Sequence, residues 1–349
     1  MFKKTFYVLL FLFIFIAAGL YAEEWNEPLE KADLLLFSSH ADDEHLFFAG
    51  ILPYCAANGI AAQVVYMTNH NDNPVRNTEL LNGLWAVGIR NKPVISNFPD
   101  LFSESLAEAL RVYKSRGISQ DDFTAFCVEN IRRFKPQTAV GHDINGEYGH
   151  GTHMMSAAAL MKAVVLAGDE SFHNESYIKY GVWDTPKTYI NQWNERRIVL
   201  SINEPLPFFD GKTAFQVSQY GFTYHKSQHW TWFNGWLNGT AQSPIRSSKQ
   251  IRRYQPGNYG LYRTLVGDDS EDAVDFFENI TILKDIIEEP ESKAEASDIA
   301  GYFDDLDIYS EPEIIETKQH SGLIIPVIII VLIALLLFIL FIKKPKRSI

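Results

Sequence analysis

Apolar residues in this chain fall into short uninterrupted runs alternating with longer stretches in which they recur every third or fourth position. Leu34-Leu-Leu-Phe-Ser38 is one such run, closed by a polar turn, and Gln63-Val-Val-Tyr-Met-Thr68 is a second. Short apolar runs bounded by turn residues predict buried strands. Glu44 to Asn58 predicts a helix ending before Gly59, and Glu79 to Gly88 a second one with Leu80, Leu84 and Val87 on one face. Val94-Ile95 predicts a short strand, and Asp121 to Phe134 a helix with Phe123, Phe126 and Ile131 on its apolar side. Pro136 separates that helix from a strand at Thr138-Ala-Val-Gly141, and Thr152 to Ala167 follows as a helix rich in Ala, Met and Leu. Strand and helix alternating in this way predict an α/β fold: a single domain built on a Rossmann-like, mostly parallel sheet flanked by helices. Beyond Trp183 the text turns aromatic and is punctuated by Pro and Gly, and no order of elements is legible there.

The two ends read differently from the middle. Residues 1–22 hold Lys3 and Lys4, an apolar run from Phe6 to Leu20 and a small residue at Ala22, the parts of a secretory signal peptide. Leu323 to Ile342 carries no charge, and at helical rise it extends about 30 Å, the thickness of a bilayer core. Residues 322–342 are therefore expected to form a C-terminal transmembrane helix. Lys343, Lys344, Lys346 and Arg347 follow at once, so residues 343–349 are expected as a basic cytoplasmic tail. The resulting expectation is a single-pass membrane protein whose folded domain, residues 25–288, lies outside the cytoplasmic membrane.

Charge is concentrated next to that anchor. Between Asp285 and Lys318 twelve acidic residues face two lysines, a net of −10 out of the −12 of the whole chain. Residues 289–321 are thus expected as a solvated acidic stalk. No basic patch stands out in the remainder, which argues against a nucleic-acid partner, since neutralising phosphates takes clustered Lys and Arg. The two cysteines, Cys55 and Cys127, are too few for a disulfide scaffold or a thiolate zinc site and read as separately buried thiols.

Chemistry gathers just after two of the predicted strands, where open parallel sheets bind their ligands. Ser38-Ser-His40-Ala-Asp42-Asp43-Glu44 follows the first, and His142-Asp-Ile-Asn-Gly-Glu-Tyr148-Gly-His150-Gly-Thr-His153 follows the strand ending near Gly141. A hydrolytic zinc site needs three N or O ligands and an open position for water. His40 and Asp43 supply two from one tight turn, and a histidine of the second cluster supplies the third. Asp42 is then left beside the metal to accept a proton from its water. Each cluster alone has a bland reading, acidic residues capping a helix N-terminus or surface histidines. Their pairing at the ends of two strands of one sheet favours metal.

These same residues carry a resemblance. His40-Ala-Asp42-Asp43-Glu44 and Asp143-Ile-Asn-Gly-Glu-Tyr-Gly-His150-Gly-Thr-His153 resemble the PIG-L (LmbE-like) family of zinc-dependent de-N-acetylases. Arg76-Asn-Thr-Glu79, Phe98-Pro-Asp100, Gly211-Lys-Thr, His225-Lys-Ser-Gln228 and the stretch from Gly260 to Glu278 are similar to it as well. The resemblance implies a hydrolase that removes the acetyl group from an N-acetylated sugar of N-acetylglucosamine type. It implies His40, Asp43 and His153 as ligands of Zn2+ or another divalent ion, and Asp42 as general base. His150 is implied as the group that steadies the oxyanion and protonates the leaving amine, Tyr148 as a further oxyanion donor, and Arg76 and Asp100 as grips on sugar hydroxyls. Two positions depart from the family pattern: Ala41 stands where Pro is frequent, and Gly151-Thr152 where Pro and Asp are frequent, which leaves Asp143 or Glu147 to orient His150.

The other histidines, His45, His70, His173, His229 and His320, read as structural or surface residues, while His142 and His225 stay undecided. Trp230, Trp232, Phe233 and Trp236 suit a sugar ring, but aromatics at that spacing are more often core. Two rival functions remain: a membrane-anchored carbohydrate-binding protein that has lost catalysis, and a metal amidase acting on another N-acyl substrate. The sugar, its aglycone and the oligomeric state are not written in the sequence.

Overall fold

A computed structural model describes residues 25–288 of the 349-residue chain. Its centre is a seven-stranded sheet built from β1 (Leu34–Ser38), β2 (Ala62–Tyr66), β3 (Val94–Ile95), β4 (Thr138–Gly141), β5 (Lys187–Asn191), β6 (Arg197–Val199) and, after a two-stranded ribbon of β7 (Pro205–Leu206) with β8 (Lys212–Thr213), β9 (Asn258–Thr264). The order across the sheet is β3-β2-β1-β4-β5-β9-β6. The first five of these are mutually parallel, and only β9 runs against its neighbours β5 and β6. All residues of β1, β2, β4 and β5 are buried, as expected of parallel strands covered on both faces.

Two groups of helices supply the cover. In chain order the helices are α1 (Ile51–Ala57), α2 (Pro74–Ala86), α3 (Leu106–Lys114), α4 (Gln120–Phe134), α5 (Gly151–Leu166), α6 (Asn174–Tyr180), α7 (Ala214–Phe222), α8 (Trp232–Asn238) and α9 (Leu283–Glu288). Helix α7 packs on α1 and α2, whereas α4 packs on α5 and α6, and α3 on α5. Leu34 and Leu36 of β1 join the core formed with Leu52, Leu84 and Phe215. Side chains alternate along a strand, so the equally buried Leu35 and Phe37 point to the opposite face.

Strand order fixes where a ligand can sit. From β1 the chain builds outward through β2 and β3, then returns to lay β4 on the other side of β1. The segments leaving the carboxyl ends of β1 and β4 therefore diverge around a crevice at the point where the order reverses. The register pairs Leu36 with Val140, which brings the polar residues after Ser38 and after Gly141 to one level.

Several expectations change. The helix expected over Glu44–Asn58 is regular only over Ile51–Ala57, because Asp42 and Gly50 hold positive φ angles of 128° and 94° and residues 41–50 form a run of turns. The second helix starts at Pro74, five positions before Glu79, and α3 was not legible in the apolar pattern. Beyond Trp183 the chain completes the sheet with β5, β6 and β9. Cys55 and Cys127 are free and buried.

The membrane assignment is corrected. Among the described residues no helix is long and apolar enough to cross a membrane. The longest, α5, has 16 residues, about 24 Å at helical rise against a bilayer core of about 30 Å. The segments assigned to a signal peptide, acidic stalk, transmembrane helix and basic tail, residues 1–22, 289–321, 322–342 and 343–349, lie outside the described residues. The extracytoplasmic, single-pass placement of the domain and its membrane partner thus have no membrane-crossing helix among the described residues to rest on.

Candidate metal centre

The turn after β1 is held in an unusual conformation. Asp42 takes a φ of 128°, which side-chain-bearing residues adopt only when their surroundings force it. The backbone N–H of Asp42 donates to Glu44 Oε2 at 2.9 Å, that of Ala41 to His70 Nε2 at 3.2 Å, and that of His40 to Asp43 Oδ2 at 2.8 Å. Arg76, in the first turn of α2, donates through one nitrogen to the Ala41 carbonyl and to Asp42 Oδ1 at 3.3 Å. These bonds offset the strain and aim Asp42 and Asp43 in different directions.

The second cluster is arranged by a coiled turn. Gly146, Tyr148 and Gly149 all have positive φ angles, and Asp143 Oδ1 accepts the N–H of Asn145 at 2.9 Å. His150 then caps α5, and His153 lies in the first turn of that helix. Gly151 explains one departure from the family pattern: a Cβ there would stand 2.2 Å from the Ser105 carbonyl oxygen, so the approach of residues 103–105 requires glycine. Thr152 donates its hydroxyl to the Leu101 carbonyl at 3.1 Å and fastens the same segment.

Together the two turns bring three potential ligand atoms to one point. His40 Nδ1 lies 3.0 Å from His153 Nε2 and 3.1 Å from Asp43 Oδ2, and His153 Nε2 lies 3.3 Å from Asp43 Oδ2. A tetrahedral ion with N and O ligands at about 2.0–2.1 Å separates its ligands by about 3.3 Å. The donor set and spacing thus fit a divalent transition ion. Each imidazole is also backed by a carboxylate, as metal-binding histidines usually are. His153 Nδ1 donates to Glu147 Oε2 at 2.7 Å, while His40 Nε2 faces Asp100 Oδ1 at 3.2 Å as an ion-pair contact outside hydrogen-bond geometry.

His142 sits in the same cluster and is spoken for at both nitrogens. Its Nε2 accepts the Ser39 N–H at 2.9 Å, and its Nδ1 donates to Glu147 Oε2 at 2.9 Å. Burial holds it below the usual imidazole pKa, so it is neutral and its lone pair is already used. His150 is close enough to His40 and His153 to complete a ligand triad, with ring centroids 4.8 and 4.7 Å away, and its Nδ1 has no hydrogen-bond partner. Burial, with the charges of His40 and His153, pushes its pKa down to about 2 and leaves it neutral.

The remaining residues singled out in the sequence are all at this centre. Burial raises the Asp42 pKa to about 7, Arg76 pulling it down and Asp43 pushing it up. Arg76 also lies 3.7 Å from Asp100, so both candidate sugar grips are engaged with the centre itself. Tyr148 packs its ring against His150 and His153, and burial raises its hydroxyl well above the ordinary phenol range. His70, read as structural or surface, is a buried structural group that accepts the Ala41 amide and faces Asp100 at 3.5 Å. Of the aromatics read as core, Trp232 and Phe233 pack on Tyr148 at centroid distances of 5.8 and 5.3 Å, and Trp232 is half exposed.

Residues 35–164 match a family profile described as PIG-L, GlcNAc-PI de-N-acetylase, and the matched segment contains the whole centre. The 1D-myo-inositol 2-acetamido-2-deoxy-alpha-D-glucopyranoside deacetylase 1 of Catenulispora acidiphila is 26% identical over 184 residues, which are 46% of this chain and 56% of that protein. An enzyme of the same kind from Rhodococcus opacus is 28% identical over 184 residues, 46% of this chain and 61% of its own length. The chain thus spans somewhat over half the length of these relatives. The structure of an N,N'-diacetylchitobiose deacetylase from Pyrococcus horikoshii covers 75% of this chain and 92% of its own at 14% identity, with a TM-score of 0.44, too low to add to the family match.

Proposed function

We propose that the chain, whose residues 35–164 match the PIG-L profile, is a metal-dependent hydrolase that removes the acetyl group from an N-acetylglucosamine-type sugar conjugate, with zinc as the working ion. The observation that carries this reading is the convergence of His40 Nδ1, Asp43 Oδ2 and His153 Nε2 within 3.3 Å of one another, beside an aspartate that is not part of the trio. The names of the relatives above point to the same substrate class.

A divalent ion bound there would polarise the amide carbonyl and acidify water. The rest falls to the protein. Asp42, tied to Arg76, takes a proton from the attacking water, and its raised pKa makes it a stronger base than an ordinary carboxylate. His150, neutral and without a partner at Nδ1, is placed to donate to the developing oxyanion or to carry a proton to the departing amine. Tyr148 keeps its hydroxyl proton and serves as a second donor. Arg76 holds Asp42 through one nitrogen and lies 3.7 Å from Asp100 through another, which places its guanidinium between the base and the second candidate sugar grip. Exposed Phe102 beside His150 and half-exposed Trp232 beside Tyr148 offer flat apolar faces for a pyranose ring.

The test is acetate release from a panel of N-acetylglucosamine conjugates and of N-acetyl peptides, before and after chelation and zinc restoration. Release from the sugars that chelator stops and zinc restores is the expected result. Activity confined to the peptides would remove the sugar assignment, and no hydrolysis of either by zinc-loaded protein would remove the enzyme.

A further inference from the structure

Behind the turn that carries Asp42 lies a second convergence of ligating groups, made of Glu44, His45 and His225, none of which belongs to the trio just described. All three side chains are completely buried. Glu44 Oε1 stands 3.2 Å from His225 Nε2 and 3.4 Å from His45 Nε2. Despite that proximity, Glu44 Oε1 and both ring nitrogens of His45 and of His225 have no hydrogen-bond partner.

This is not how a buried structural histidine is normally held. Interior polar groups are nearly always bonded, and His142, a few ångströms from the trio, has each nitrogen satisfied by Ser39 or Glu147. Here Glu44 Oε1, His45 Nε2 and His225 Nε2 converge, and none of the three has a hydrogen-bond partner. The other Glu44 oxygen is engaged, accepting the Asp42 N–H, so Oε1 is left as a single anionic donor.

Two glycines face the cluster. A Cβ on Gly83 of α2 would stand 2.6 Å from His45 Nε2 and 2.9 Å from His225 Nε2, so only glycine lets the helix lie this close to both nitrogens. Gly221 of α7 admits the other side of the His45 ring, where a Cβ would come within 2.5 Å of Cε1. Separations of 3.2 and 3.4 Å from one carboxylate oxygen to two imidazole nitrogens match the edge of a tetrahedron of N and O ligands, about 3.3 Å.

We propose that Glu44, His45 and His225 form a second divalent-metal site, structural in function, that joins the turn after β1 to the segment following α7. One carboxylate and two imidazoles are a donor set suited to zinc, cobalt or nickel. Complete burial means the ion is taken up as the chain folds and exchanges slowly. The inference does not depend on the deacetylase reading: it concerns how many ions the fold holds, whatever reaction it runs.

The full chain, folded in the presence of zinc sulfate and dialysed free of excess, is the material for the test. Metal analysis should give two zinc ions per chain for the unaltered protein and one for His225→Asn or His45→Leu. A crystal of the unaltered protein measured above and below the zinc absorption edge should show an anomalous peak between Glu44, His45 and His225. That measurement needs no variant, so a substitution that fails to fold does not spoil it. One zinc per chain with no peak among these three residues overturns the proposal, including when the ion at His40, Asp43 and His153 is present and the enzyme is active.

Discussion

His153 Nδ1 lies 2.7 Å from Glu147 Oε2, and the same oxygen receives His142 Nδ1 at 2.9 Å, so one buried carboxylate fixes the tautomers of two imidazoles. With its proton committed to Glu147, His153 turns the Nε2 lone pair toward His40 and Asp43. The remaining Glu147 oxygen accepts the Asp143 N–H at 3.1 Å and pins the carboxylate. Glu147 is therefore the residue on which the orientation of the centre turns, although it touches no ligand atom facing the ion.

Glu147→Gln keeps the shape but offers an amide that can accept from only one side. Zinc affinity is expected to fall about 10–100-fold, the usual effect of losing a carboxylate behind a metal-binding histidine. Asp100→Asn should do the same through His40, whose Nε2 it faces at 3.2 Å. Competition against a chelator of known affinity measures both, and unchanged affinity in both variants would show the backing carboxylates to be idle.

Asp42 serves as base only when ionised. Its pKa is raised to about 7 by burial, with Arg76 lowering it and Asp43 raising it, so kcat/KM of the zinc-loaded enzyme should decline as pH falls through the Asp42 pKa. Arg76→Met removes the lowering influence and should move that acid limb to higher pH. Asp42→Ala should retain zinc and lose about 10²–10⁴-fold in turnover. An acid limb that stays in place in Arg76→Met would dissociate Arg76 from the base.

Protons and a cation compete for the same three donors. Burial pulls His40 and His153 down, but Asp100 and Asp43 outweigh it at His40, and Asp43 and Glu147 at His153, raising them to about 10 and about 9. The raised values keep a proton among these donors at pH 7, and facing nitrogens 3.0 Å apart have room for only one, shared from His40 Nδ1 to the His153 Nε2 lone pair. Zinc added to weakly buffered protein at pH 7 should therefore release acid, and its affinity should climb until pH passes 9 to 10. The raised imidazole values also mean that the cation-free fold is favoured while the rings are protonated and loses that stability as pH rises through 9 to 10. Zinc uptake without acidification would contradict the assignment.

Arg132 makes a prediction about the scaffold alone. Its guanidinium is buried and donates to the carbonyls of Leu166, Ala167, Asp169, Phe172 and His173 and to Ser176 Oγ, tying α4 to the end of α5 and the start of α6. Arg132→Met strands those acceptors and should lower unfolding stability by about 3 kcal/mol or more. Urea denaturation measures it, with zinc content per folded chain expected to stay the same.

The chain by itself determined the elements whose signals are local. Leu34–Ser38 and Thr138–Gly141 are apolar runs that have no stable place except inside a sheet, and the His and carboxylate groups that follow them were readable as paired clusters at strand ends. What tertiary structure decided is every relationship that spans the chain. The Ser39 amide meets His142 across 103 residues, which removes His142 from the ligand set without any mark in the sequence around it. His70, read as bland, supports the strained turn at Asp42, and His45 and His225, one read as bland and one undecided, converge on Glu44. The helix expected from Glu44 was displaced to Ile51 because the turn gives up regular backbone bonds to bonds with His70, Arg76 and its own carboxylates. Periodicity reports which face of a segment avoids water. It carries no information about which distant group will satisfy a given nitrogen or oxygen, since that depends on packing the whole chain.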